Sequence, residues 1–234
     1  MEARDRLIVA LDIEDKDRAL QMIETLSPVV DLFKVGIAPF TDYGHIVLEK
    51  LEEKGKKVFL DLKFHDIPNT VRNAAYAAAK KNVFMMNFHC LGGKEMLEKA
   101  REGARETGGR SLLLGVTVLT SMDREDMETI GLAGTVKDKV MELAGLAKDA
   151  GLDGVVASAE ETKMIKDKFG KEFVVVTPGI RPEWAASGDQ KRIVTPEAAI
   201  RGGSDYIVVG RPIIKAEDPL KAAEKIIEEM TERG

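Results

Sequence analysis

Cysteine is nearly absent from this 234-residue chain, with Cys90 the only one. A lone thiol forms no intrachain disulfide and builds no cysteine-rich zinc site, which points to a reducing compartment. Long apolar runs are missing too. The stretch Met1–Ala10 leads into only a brief one, Leu7–Leu11, with Asp12 behind it. A secretory signal or a membrane span needs much more. A soluble, cytoplasmic protein with no membrane partner is therefore expected. Positive charge is not in excess: 35 Lys and Arg face 40 Asp and Glu, a formal net charge of −5. That sign disfavours nucleic acid as a partner but leaves room for one local basic pocket. No linker rich in Ser, Gly or Pro divides the chain, and no pair of histidines at helical spacing with a carboxylate marks a metal site.

What is present is a regular alternation. Hydrophobic residues make up 44% and charged residues 32%, the mix of a packed core under a solvated surface. Short apolar, β-branched runs occur at Arg6–Leu11, Val29–Val35, Lys57–Leu62, Val83–Phe88, Ser111–Leu119, Asp153–Ala157, Glu172–Val176 and Asp205–Val209. Between most of them lie charged stretches with apolar residues three and four apart, the pattern of amphipathic helices. In the last of these Asp218 is placed to cap, Pro219 suits the first helical position, and Leu220, Ala223, Ile227 and Met230 make a stripe. Thr195-Pro196 opens a helix in the same way. Eight strand–helix units in a chain of this length predict an α/β fold, a (β/α)8 TIM barrel, as a single domain over residues 1–234.

Both faces of a barrel strand are buried, so polar groups at strand ends need a reason. The C-terminal ends are where such barrels carry their chemistry. In order, those ends hold Asp12, Lys34, Asp61 with Lys63, His89, Thr120, Ser158, Pro178-Gly179 and Gly210-Arg211. The third run is the most telling. Alternation puts Phe59, Asp61 and Lys63 on one face and the apolar Val58, Leu60, Leu62 and Phe64 on the other. A buried charge needs partners, and Lys34, Asp66 and Asp12 supply an array of alternating sign. One Asp–Lys pair alone reads as a register-fixing ion pair; five charges at three consecutive strand ends read as a site. His65 and His89 read as packed or surface histidines. After the seventh and eighth runs, Pro178-Gly179-Ile180-Arg181 and Gly210-Arg211 lie where barrels of this kind bind phosphate. Arg211 adds a forked cationic contact. The segment from Pro178 to Thr195 reads as a long loop able to act as a lid.

The segment Phe59-Leu60-Asp61-Leu62-Lys63-Phe64-His65-Asp66-Ile67-Pro68-Asn69-Thr70 closely resembles the signature of the orotidine 5′-phosphate decarboxylase family. Ala10-Leu11-Asp12, Phe33-Lys34-Val35-Gly36, Leu119-Thr120-Ser121-Met122, Val176 to Pro182, Gly188-Asp189-Gln190 and Val209-Gly210-Arg211-Pro212 follow in family order. The resemblance implies conversion of orotidine monophosphate to uridine monophosphate in pyrimidine synthesis, with neither metal nor organic cofactor. It implies Lys63 as proton donor, with Lys34, Asp61 and Asp66 completing a catalytic array. Asp12 and Lys34 hold ribose hydroxyls, and Thr120 lies near the pyrimidine. Arg181, Gln190, Gly210 and Arg211 serve the substrate's phosphate end, and Asp61, Thr70 and Pro178 are further substrate-binding positions. A homodimer is implied as well, with Asp66 and Thr70 entering the neighbouring subunit's site. Two rivals remain: a Mg2+-dependent phosphosugar lyase or epimerase on the same barrel, and a nucleotide-binding protein without activity.

Overall fold

The computed structural model describes residues 1–185 and 194–231. Its eight strands are β1 (Leu7–Ala10), β2 (Leu32–Gly36), β3 (Lys57–Phe64), β4 (Met85–His89), β5 (Leu112–Val116), β6 (Gly154–Val156), β7 (Val174–Thr177) and β8 (Tyr206–Val209). They follow chain order in a closed barrel, the predicted (β/α)8 architecture. By contact density the chain groups into two compact units, Met1–Asp61 with Pro178–Gly234, and Leu62–Thr177. No helix among the described residues is long and apolar enough to cross a membrane.

In the first unit, β1 lies between β2 and β8, all parallel, with Ala10 beside Lys34 and Val9 beside Val209. On its other edge β2 pairs with β3 so that Gly36 sits beside Asp61. β1, β2 and β8 are buried on both faces, as a barrel wall requires. Asp15 caps the helix Lys16–Leu26 by accepting the Arg18 N–H at 2.7 Å, and Thr195 caps Pro196–Arg201 by accepting that of Ala198 at 3.2 Å. Both are ordinary N-terminal caps. The helix Ile37–Glu53 bends at Tyr43, where φ is −142° and the phenol donates to the Ile13 carbonyl. Its buried face runs through both halves, with Pro39, Tyr43, Val47 and Leu51 four residues apart.

The predicted strand at Val29–Val35 begins three residues late, because Val30 still donates to Leu26 and finishes the helical turn. The last helix, Pro219–Thr231, starts on the Asp218 cap as expected. Its buried stripe, however, is Ala222, Ala223, Ile226 and Met230, with Leu220 and Ile227 only half-buried.

The second unit continues β3 and carries β4 to β7. Two glycines set its spacing. A Cβ on Gly154 would come within 2.1 Å of the Val174 carbonyl oxygen, and one on Gly115 within 2.6 Å of the Cys90 sulfur. The helices Pro68–Ala79 and Lys94–Arg105 also touch at a glycine, where a Cβ on Gly103 would meet the Arg72 carbonyl at 2.1 Å. Arg72 then pairs across the seam with Glu102, at 2.9 Å, and with Glu106. The predicted strand Ser111–Leu119 ends early at Val116, because the Thr117 hydroxyl donates to the Val156 carbonyl at 3.1 Å. The chain then turns out into a loop. Between Ser121 and Val136, Asp123 and Asp126 form a reciprocal capping box on the short helix Arg124–Thr129.

Candidate active site

Three of the predicted charges meet in the first unit. Register brings the ends of β1, β2 and β3 together, and Lys34 Nζ lies 2.9 Å from Asp12 Oδ1 and 3.3 Å from Asp61 Oδ2. The Lys34 and Asp61 side chains are only 10% and 12% exposed, whereas that of Asp12 is 56% exposed. A buried ammonium between two carboxylates is held in a fixed position. The open carboxylate, Asp12, is the member accessible to a ligand hydroxyl.

Gly36 makes room for this group. A Cβ at that position would lie 3.0 Å from both Asp12 Oδ1 and Lys34 Nζ, closer than ordinary carbon contacts. Its backbone is extended, with φ −88°, so space rather than conformation is what alanine would violate. Gly36→Ala is expected to displace the ammonium by a few tenths of an ångström. Substrate affinity should fall several-fold while the melting temperature moves by no more than roughly 2–4 °C; steady-state kinetics and a thermal melt read both.

Lys63 and Asp66 belong to the second unit. Lys63 sits two residues beyond Asp61 on β3, but its φ is +49°. A side-chain-bearing residue in the left-handed region is held there by its surroundings. Here the holder is Asn87 on β4, wholly buried, whose Oδ1 accepts the Lys63 N–H at 2.8 Å. Period-two alternation therefore stops at Lys63, and spacing alone no longer decides which face it or His65 occupies. His65 is exposed and His89 half-buried, their rings 5.4 Å apart. The Asp66 carboxylate accepts the Ile67 N–H at 2.7 Å, at the mouth of the helix Pro68–Ala79. Asp66, Ile67, Asn69 and Thr70 are all exposed there. Thr120, in the turn after β5, is exposed as well.

The remaining strand ends divide between the units. In the second unit the Ser158 hydroxyl, after β6, donates to the buried Glu161 carboxylate. In the first, Pro178 follows β7, and Gly179 turns the chain in the left-handed region at φ +77°. Ile180 then bridges Val194, and the Arg181 N–H donates to the Val194 carbonyl at 3.0 Å. Arg181 itself is 9% exposed. Gly210 leads into the short helix Arg211–Ile214 with φ −116° and ψ −95°, and Arg211 is exposed. Gln190 and the middle of the predicted loop lie outside the described residues.

Cys90 is buried and its thiol is pushed up to about 12 by desolvation, so it stays protonated and is no nucleophile. Among the described residues no group of three or more His, Cys, Asp or Glu converges as a metal site would. Two contributors escaped sequence reasoning. Asn87 had a trace in the sequence, an amide inside the apolar run Val83–Phe88; Gly36 had none beyond its place after Lys34.

Residues 5–226 match the sequence profile described as "Orotidine 5'-phosphate decarboxylase / HUMPS family". The chain is 48% identical over 225 residues to an orotidine 5′-phosphate decarboxylase of Saccharophagus degradans, covering 96% of this chain and 94% of that one. It is 50% identical over 229 residues to that of Halorhodospira halophila, covering 98% and 97%. The crystal structure of orotidine 5′-phosphate decarboxylase from Lactobacillus acidophilus superposes with a TM-score of 0.84 at 38% identity, over 96% of this chain and 98% of that one. Profile, full-length relatives and barrel agree, and this chain belongs to the orotidine 5′-phosphate decarboxylase / HUMPS family.

Proposed function

We propose that this chain decarboxylates orotidine 5′-monophosphate to uridine 5′-monophosphate in pyrimidine biosynthesis, using only its own side chains. The observation that carries this reading is the buried Lys34 ammonium clamped between Asp12 and Asp61, with Lys63 two residues further along β3. Breaking the bond between the ring carbon and its carboxylate leaves the electron pair on a carbon with no adjacent electron sink. A fixed cation beside that carbon stabilises the developing charge and then supplies the proton that ends the reaction. Lys63 is assigned both tasks. Its ammonium becomes an amine on giving up the proton, and recovers it from water once the product leaves.

The neighbours set the ammonium's surroundings. Asp61 and Asp66 are assigned places beside it, and Asp61 opposes the substrate carboxylate. That opposition ranks below stabilisation of the transition state as a source of rate. Asp12 and Lys34 take the ribose hydroxyls, and Thr120 the pyrimidine. Arg181, Gln190, Gly210 and Arg211 take the phosphate end, and Pro178 is a further substrate-binding position. Phosphate lies far from the reacting bond, so its binding energy is spent on fixing the ring and excluding water.

The test is the fall in orotidine monophosphate absorbance on adding purified, chelator-treated protein. Full turnover after chelation is expected. No turnover at all, or turnover lost on chelation and regained with Mg2+, would overturn the assignment, the latter in favour of a metal-dependent lyase.

The reading extends to a cytoplasmic homodimer with shared sites. The exposed edge Asp66 to Thr70, which includes Ile67 at 67% exposure, supports it. Mixing an inactive Lys63→Ala protein with an inactive Asp66→Asn protein should restore part of the activity, because hybrid dimers carry one intact site. A mixture as dead as its components would refute sharing.

A further inference from the structure

We infer that Trp184, the chain's only tryptophan, is a positioning residue that clasps the segment after Arg181 onto the last helix and so sets the phosphate side of the site. The inference rests on the decarboxylase reading above. Its physical basis is a short chain of contacts within the first unit. Arg181 is fixed on one side by its N–H bond to Val194. The next four residues make a tight turn, Ala185 donating to the Pro182 carbonyl at 3.0 Å, which swings Trp184 outward. There the indole Nε1–H donates to Glu229 Oε1 at 2.6 Å, and Lys225 Nζ stands 4.7 Å over the ring.

Glu229 and Lys225 both belong to the helix Pro219–Thr231. One helix face thus grips the indole twice, through a charge-assisted hydrogen bond and a cation over its π-face. The grip is outside the barrel core: Trp184 is 40% exposed and borders a cavity of about 390 Å3 lined also by Glu183, Thr195, Glu197 and Glu229. An aromatic ring of this size half out in water, with both polar partners on one helix, is poor core packing. It is well suited to holding a turn. Arg181, three residues back, lies between its own backbone bond to Val194 and the clasped turn. Releasing the indole loosens the turn that directly follows Arg181, an effect that should be felt most by a ligand that uses the Arg181 side chain.

The experiment compares orotidine monophosphate with orotidine, which has the same base and sugar but no phosphate. Trp184→Ala is expected to raise KM for the nucleotide about tenfold with kcat nearly unchanged. The kcat/KM for orotidine should not change. Glu229→Gln, a surface change on the helix, should move the nucleotide KM in the same direction by a smaller factor, and Trp184→Phe should fall between Ala and wild type. Equal losses for both substrates would mean the indole merely stabilises the fold, and unchanged constants would mean it does nothing for the site. Either result overturns the clasp. If wild-type protein does not turn over orotidine monophosphate at all, it is the decarboxylase reading that has failed.

Discussion

Replacing Lys63 by alanine is expected to lower kcat by at least about 10⁴-fold while leaving a folded chain. A positioned proton donor contributes about 10²–10⁴ and preorganised charge stabilisation about 10²–10³ more, and one ammonium is assigned both tasks. Such a loss equals roughly 5.5 kcal/mol of barrier. Stability should move the other way in a second variant. Because Lys63 holds φ at +49°, Lys63→Gly relieves a left-handed strain worth about 1–2 kcal/mol for a residue with a Cβ. Glycine returns about 0.5–1 kcal/mol of that through its looser unfolded chain. The glycine variant should therefore melt roughly 1–4 °C above the alanine variant, and both should be inactive. An active alanine variant would remove Lys63 from the chemistry; an alanine variant melting higher than the glycine one would show that the backbone there is unstrained.

The second large effect concerns Lys34. Lys34→Met takes from Asp61, 12% exposed, the ammonium that lies 3.3 Å away, and takes from Asp12 the same partner at 2.9 Å. Removing one partner of a nearly buried ion pair costs about 3–5 kcal/mol, a fall in melting temperature of roughly 6–20 °C at this chain length. Activity should vanish as well. Adding Asp61→Asn to Lys34→Met removes the carboxylate that has lost its Lys34 partner and should recover part of the lost stability, with none of the activity. Denaturant titration of the two single variants and the double measures the coupling. A double variant no more stable than Lys34→Met would mean that the ion pair described here does not carry the stability assigned to it.

Much of this was legible in the amino-acid order. Eight β-branched runs separated by amphipathic stretches predict eight strands, because a barrel wall buried on both sides demands continuous apolar residues. Charges closing those runs stand out for the same reason, and Asp12, Lys34 and Asp61 do come together. The less legible features depend on contacts between distant residues. Thr117 leaves the ladder because its hydroxyl finds Val156, thirty-nine residues on. The turn at Lys63 depends on a buried amide twenty-four residues away; lysine in that backbone conformation has no compositional mark. Small residues hide most. Gly36, Gly103 and Gly154 read as breaks in a pattern, yet each is a place where another atom comes too near for a side chain.

The pairing of β1 with β8 has a consequence for synthesis. Leu7 lies beside Ile207, and the Arg6 guanidinium donates to the Ser204 and Asp205 carbonyls. At about 5–20 residues per second, a ribosome that has just made residue 7 needs roughly 10–40 s to deliver its partner. Throughout that interval the first strand has one hydrogen-bonding edge unmatched, and an open edge is a template for the wrong neighbour. A nascent chain stalled short of Tyr206 is thus exposed to aggregation in a way the finished barrel, with its strands joined into a ring, is not.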